Sequence, residues 1–305
     1  MTKVLNTLLL AAFIAAILVA SRWVGQQAYS WMPPQATAEA KRVDELFSFL
    51  VSIGAFIFLG IVGMILYSIL TCRAPRGDFS EGHPARGDAK LEILWTVTPT
   101  VLVLWIAAQS YNIYQQLNIL GLTPLVLHHM PLVEPVYAQT KPSVTNNPQP
   151  AAEEIEVVAK QWVWAFRYPS SNVTSTELHL PVNRSVRLAM QSEDVLHGFY
   201  VPEFRIKQDI IPNRTITFVF TPLRAGKYRL RDSQFSGTYF ALMEADLYVE
   251  SLEAYNQWLA QAATRKPAPA TNAAFSEYTQ QSGKAGWLNW PTVVPAEPPV
   301  VNNPS

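Results

Sequence analysis

The chain has 305 residues, 49% of them apolar and only 15% charged, with 23 Lys+Arg balanced by 23 Asp+Glu. No basic surplus exists to grip nucleic acid, and charge this far below the ~25% of soluble domains places part of the chain in lipid. A single cysteine, Cys72, excludes an intrachain disulfide and any multi-cysteine metal site built from this chain alone.

Three uncharged apolar runs precede Asn112. Val4–Ala20 follows Lys3 and sits at the lower length limit for crossing a bilayer. It reads either as an uncleaved anchor or as a cleaved signal, with Leu18 a poor small-residue match three places before a cut after Ala20. No cysteine follows to carry a lipid, and residues 1–45 form an anchor or signal plus an outer segment. Leu46–Leu70 and Ile93–Tyr111, the latter with Pro99 near its middle, are both long enough to span. Together they predict a transmembrane hairpin over 46–111. The loop at 72–90 holds Arg73, Arg76, Arg86 and Lys90, whereas residues 112–152 hold only Lys141. Positive charge prefers the cytoplasmic side, so the hairpin loop lies inside and everything after Tyr111 outside.

Residues 112–152 read as a proline-rich linker. His128 and His129 are adjacent there, but Glu134 is the only carboxylate near them, so the pair reads as a linker feature more readily than as a metal site. From Glu153 to Glu250 short, alternating, β-branched segments replace the apolar runs: Glu156-Val-Val-Ala, Ser185–Met190, Thr215–Phe220 and Lys227–Arg231. Breaks at Pro181-Val-Asn-Arg, Pro212-Asn-Arg and Arg224-Ala-Gly divide them, which predicts a β-sandwich over 153–250. Ser251–Ala263 predicts one amphipathic helix with Leu252, Tyr255, Trp258 and Leu259 on a stripe. After Thr264 the chain is rich in proline and alanine and reads as poorly ordered, with Trp287 and Trp290 as hints of a docking contact.

A transmembrane hairpin feeding an external sandwich resembles subunit II of the haem–copper terminal oxidases, and local motifs carry the likeness. Leu91-Glu-Ile-Leu-Trp-Thr-Val-Thr-Pro99 is similar to the start of that family's second hairpin helix. Lys160-Gln-Trp-Val-Trp-Ala-Phe-Arg-Tyr-Pro169 resembles its aromatic stretch, and Ser192-Glu-Asp-Val-Leu-His-Gly-Phe-Tyr-Val-Pro202 resembles its first copper-ligand loop. Trp31-Met-Pro-Pro-Gln-Ala-Thr-Ala is similar to the longer N-terminus of cyanobacterial members. The resemblance implies membrane helices followed by a cupredoxin-like β-sandwich. It also implies a binuclear copper centre held by a histidine and the run Cys-x-Glu-x-Cys-x-x-x-His-x-x-Met.

The first histidine matches His197, and the run reads Asp232-Ser-Gln-Phe-Ser236-Gly-Thr-Tyr-Phe240-Ala-Leu-Met243. Asp232 and Ser236 replace both thiolates, Phe240 replaces the second histidine, and Gln234 replaces the glutamate that in the family also reaches a magnesium ion. One imidazole and one thioether cannot hold two coppers, because the centre needs soft bridging sulfur. Asp232 offers a hard oxygen for a weak mononuclear site with His197 and Met243; the blander reading makes these residues packing and hydrogen-bonding groups. Trp162 takes the family position of an exposed indole that relays electrons, or else it is an aromatic capping the sandwich edge. Glu92 matches a glutamate at the inner mouth of a proton channel, although the helix dipole also favours a carboxylate there.

The resemblance therefore predicts subunit II of a proton-translocating terminal oxidase with no redox cofactor in this chain. Haem and copper belong to subunit I, the partners are subunits I and III and membrane lipid, and quinol is the donor. An alternative donor is cytochrome c or another soluble carrier, though residues 153–250 carry twelve Asp/Glu against eleven Lys/Arg and offer no acidic excess. A membrane-tethered binding or assembly protein is the alternative from another class. The chain is placed in a bacterial cytoplasmic or thylakoid membrane, with the sandwich on the periplasmic or lumenal side.

Overall fold

A computed structural model describes residues 2–73, 77, 87–116, 119–120, 153–282 and 292–303. The rest, including His128, His129, Trp287 and Trp290, lie outside the described residues. The chain divides into a helical unit, residues 1–33 and 42–116, and a β-rich unit, residues 34–41 and 117–305.

Three helices, α1 (Thr2–Gln27), α2 (Ala38–Thr71) and α3 (Ala89–Gln116), are each long and apolar enough to cross a membrane. α1 runs seven residues past the candidate cut after Ala20. It meets α2 through small residues: the Ser48 hydroxyl donates to the Gly25 carbonyl at 2.7 Å. A Cβ on Gly25 would stand 1.8 Å from Ser52 Oγ, and one on Gly63 would stand 2.3 Å from the Phe13 ring. Glycine is what allows this close approach. Phe49 of α2 meets Trp105 of α3 edge-on at 5.0 Å. α2 begins eight residues before the predicted 46 because Thr37 caps it, accepting the Ala40 N–H at 3.1 Å. Asp88 caps α3 in the same way, accepting from Lys90 N at 2.9 Å and Leu91 N at 3.3 Å.

The second unit is a sandwich. Its strands are β1 (Ile119–Leu120), β2 (Glu153–Lys160), β3 (Val163–Tyr168), β4 (Val173–Ser175), β5 (Leu178–Pro181), β6 (Val186–Ser192), β7 (His197–Val201), β8 (Ile206–Ile210), β9 (Ile216–Phe220), β10 (Gly226–Asp232) and β11 (Glu244–Glu250). One sheet runs β1-β9-β6-β2-β3-β4 and the other β5-β11-β10-β7-β8. β2 and β6 pair in parallel, as do β11 and β5. Alternation does what the sequence pattern demands: Ile155, Val157, Leu188, Met190, Ile216 and Phe220 face inward from one sheet, and Leu180, Phe199, Leu230 and Leu247 from the other.

Residues 34–41 belong to this unit. Ala36 donates to the Glu203 carbonyl at 3.0 Å and accepts from Leu223 N at 2.7 Å, while the Thr37 hydroxyl donates to the Phe204 carbonyl. The helix after the sandwich, α4 (Leu252–Thr264), is capped by Ser251, whose hydroxyl accepts the Ala254 N–H at 3.2 Å. It buries Tyr255 and Leu259, whereas Leu252 is exposed.

The expectation of a poorly ordered tail is corrected. Beyond Thr264 the chain forms β12 (Ala268–Pro269), α5 (Ala273–Ser282) and β13 (Val300–Val301), which pairs with β12. Asparagines hold it: Asn302 donates N–H to the Thr174 carbonyl at 2.9 Å, Asn303 Nδ2 donates to Glu177 at 3.1 Å, and Asn272 Nδ2 donates to the Ala296 carbonyl at 2.8 Å. Proline supplies no donor, so the backbone N–H of Asn302 and the side-chain amides of Asn303 and Asn272 supply the bonds that hold this segment.

Candidate functional site

β7 opens with His197 and β10 closes with Asp232, and the two strands pair directly, with Asp232 opposite Phe199. This register brings the imidazole to the carboxylate. His197 Nδ1 lies 2.8 Å from Asp232 Oδ2, with both side chains fully buried. His197 Nε2 lies 2.9 Å from Asp194 Oδ1, three residues upstream. Asp232 Oδ2 also accepts the Ser236 hydroxyl at 2.8 Å, and Oδ1 accepts the N–H of Gly198 at 2.7 Å and of Gln234 at 2.9 Å. Asp194 accepts the N–H of Gln161 and of Val195, each at 2.7 Å.

The electrostatics follow from these contacts. Burial alone pushes the His197 pKa down, but the hydrogen bonds and charges of Asp194 and Asp232 outweigh it and hold the ring above the ordinary histidine value. Burial pushes Asp194 up, yet the His197 contact and the N–H groups of Gln161 and Val195 hold it below the ordinary carboxylate value.

The remaining matched positions are placed as follows. Met243 is buried, and its carbonyl accepts the Trp164 indole N–H at 3.2 Å and the Asp232 N–H at 3.1 Å. The Gln234 carbonyl accepts the Ser236 N–H at 2.9 Å, and its side chain donates to Asp209 at 2.7 Å. Phe240 stacks edge-on against Phe235 at 5.1 Å, and Phe235 is 79% exposed. Oxygen, ring nitrogens already bonded to carboxylates and one thioether are not the donor set of a binuclear copper centre, which requires bridging thiolates. Among the described residues no group of three or more His, Cys, Asp or Glu is arranged to hold a metal ion.

Trp162 is only 2% exposed. Its indole N–H donates to the Ser236 carbonyl at 3.2 Å, and Tyr239 meets the ring edge-on at 5.2 Å. Gly237, at φ +120°, lies under it: a Cβ there would stand 2.7 Å from the Trp162 ring. Glu92 sits in the first turn of α3, in the helical unit, with its neighbour Thr96 donating to the Glu92 carbonyl.

Two participants escaped the sequence reading. Asp194 stood inside the quoted loop, and its signal was an acid three residues before a histidine. His179, on β5, is held by Glu250 and two aromatic rings; its partners come from β11 and α4, and nothing local in the sequence announces them.

Helices long and apolar enough to cross a membrane, followed by this two-sheet sandwich, define a membrane-anchored protein with a C-terminal β-sandwich domain. Residues 21–113 match the cytochrome c oxidase subunit II transmembrane domain and residues 173–250 its periplasmic domain. Cytochrome c oxidase subunit 2 of Synechocystis sp. is 32% identical over 85% of this chain and 83% of its own, and that of Thermostichus vulcanus is 28% identical over 86% and 88%. Quinol oxidase subunit 2 of Bacillus subtilis is 22% identical over 87% of this chain and 75% of its own. The chain belongs to the cytochrome c oxidase subunit II family, as subunit II of a haem–copper oxidase complex.

Proposed function

We propose that this chain is the non-catalytic subunit II of a proton-translocating oxidase fed by quinol, and that it carries no copper centre. The observation that carries the reading is the fate of the two thiolate positions. Asp232 and Ser236 stand there and spend their oxygens on each other and on His197, and Phe240 replaces the second imidazole. A buried carboxylate and a hydroxyl lack the soft, bridging sulfur that would share one electron between two coppers. Electrons then pass from quinol to haem in subunit I without crossing this chain. The helices bury against subunit I, with subunit III and lipid around them, and Glu92 lies at the inner mouth of a proton path.

The higher identity to cytochrome c oxidase subunits favours a second reading, in which a soluble carrier delivers electrons to subunit I directly. Turnover and metal analysis of the purified complex separate the two. The quinol reading expects quinol-driven oxygen uptake, copper from the subunit I centre alone and no mixed-valence copper-pair signal. Rapid turnover with reduced cytochrome c and none with quinol overturns it.

A further inference from the structure

The His197 cluster does more than lack sulfur. A neutral imidazole has one donor and one acceptor nitrogen, whereas a carboxylate only accepts. Here carboxylate oxygens lie 2.8 Å from Nδ1 and 2.9 Å from Nε2. Both oxygens of Asp194 and both of Asp232 also accept N–H or O–H donors from elsewhere. Apart from the hydroxyls of Ser236 and Ser192, which donate to Asp232 and Asp194, a proton on either acid would meet only the ring as acceptor, and every one of these hydrogen bonds is satisfied when the ring holds both protons.

We infer that Asp194, a doubly protonated His197 and Asp232 form a metal-free bridge that ties three separate segments of the sandwich together. The segments are the β2–β3 turn, joined through Gln161 N to Asp194, the loop entering β7, and the loop leaving β10, joined through Ser236 and Gln234 to Asp232. The inference rests on the reading that copper is absent, and it says what replaced the metal: a charge of the same sign, delivered as a proton. One imidazolium between two carboxylates leaves a single net negative charge, and three or more hydrogen bonds on each carboxylate offset its desolvation. The charged groups acting on the ring are Asp194 from its own loop and Asp232 from β10. Lys160 of β2, paired with Glu193 at 3.0 Å, acts on Asp194 from outside. The rise of the His197 pKa and the fall of that of Asp194 agree with this distribution of charge.

The test is nitrogen NMR on the full-length chain in nanodiscs, labelled with 15N only in its five histidines. At pH 8, well above the ordinary histidine value of ~6.5, one histidine should show two protonated ring nitrogens. Asp194→Asn replaces one acid with a neutral amide of the same shape and should lower that ring's proton affinity by about tenfold or more. It thereby assigns the signal without a variant at His197 that could fail to fold. Five rings each with a bare nitrogen at pH 8 overturn the bridge, and so does a doubly protonated ring indifferent to Asp194→Asn. The outcomes also separate this inference from the reading beneath it. Neutral rings in a chain that takes up no added copper defeat the bridge alone, whereas a mixed-valence copper pair after copper addition defeats both.

Discussion

His197 and His179 are both buried in the same sandwich beside two acids, and they differ in what closes the rest of the shell. His197 meets a carboxylate at each nitrogen, at 2.8 and 2.9 Å, and the nearest ring, Trp164, is edge-on at 6.3 Å. His179 has one close carboxylate, Glu250 at 2.9 Å, while Glu177 stands off at 3.7 Å. Aromatic faces take the place of the second acid: Trp258 stacks at 3.8 Å and 13°, Tyr248 at 4.7 Å and 19°. The first ring joins loops by directional hydrogen bonds. The second joins α4 to β5 and β11 by dispersion and ring electrostatics. Loops need a polar tie because their backbone groups require partners. A helix lying on a sheet already has its own and needs only filled volume.

The largest expected effect breaks the polar tie. Asp232→Ala leaves the imidazole, the Ser236 hydroxyl and the N–H groups of Gly198 and Gln234 without their acceptor in a fully buried place. The expected cost is about 3–5 kcal/mol, as for a buried pair that loses one partner. Denaturant unfolding followed at the sandwich tryptophans measures it, and a loss under about 1 kcal/mol, the scale of a single ordinary hydrogen bond, would mean that packing alone holds the loops. Trp258→Ala removes the stack on His179 and the edge contact with Tyr168 at 5.1 Å. As Trp258 is only partly buried, the expected cost is about 2–3 kcal/mol, below that of a fully buried tryptophan. The change should loosen α4 in hydrogen exchange while leaving the amides of 192–198 protected.

The polar tie at His197 also has a signature in pH. The folded pKa of His197 is raised above its unfolded value of ~6.5. Its contribution is therefore complete below that value and is lost as pH rises through the folded pKa. Asp194 is lowered, so its contribution is present above the ordinary carboxylate pKa and is lost as pH falls through the folded one. Unfolding midpoints of the sandwich should be flat between the ordinary carboxylate value of ~3.9 and the ordinary histidine value of ~6.5, and should fall on both sides. In Asp194→Asn the acid limb should shrink, and the alkaline fall, still starting near ~6.5, should become smaller and end at lower pH. An unchanged profile would remove His197 from the polar class.

The strands were legible because period-two patterning survives wherever one face is buried: Ile155, Val157 and Ala159, or Ile216, Phe218 and Phe220, are inward at every second position. Asp232 was legible as a partner for His197 only in part: both were singled out by spacing, and their 2.8 Å contact comes from the fold. Contacts across sequence separation were not legible. Asp194 faces Asp232 across the imidazole through a β7–β10 register that no local pattern encodes. What covers Trp162 was not legible, because Ser236, Gly237 and Tyr239 come to it from far along the chain. The asparagines of the tail look like disorder until the residues that accept their hydrogen bonds are brought near.

The smallest expected effect tests whether α4 owes its place to stacking or to its own start. Ser251→Ala removes the cap on Ala254 N and exposes one orphan N–H of the first turn. Such caps contribute about 1 kcal/mol. If Trp258 on His179 holds the helix, the loss should stay local: faster exchange at residues 252–254, unchanged protection around Leu259, and a small shift in the unfolding midpoint. If the whole helix loosens as far as it does in Trp258→Ala, the cap rather than the stacked ring nucleates it. His179 would then be a passive filler beneath a helix held from its end, and the contrast with His197 would be one of strength as well as of kind.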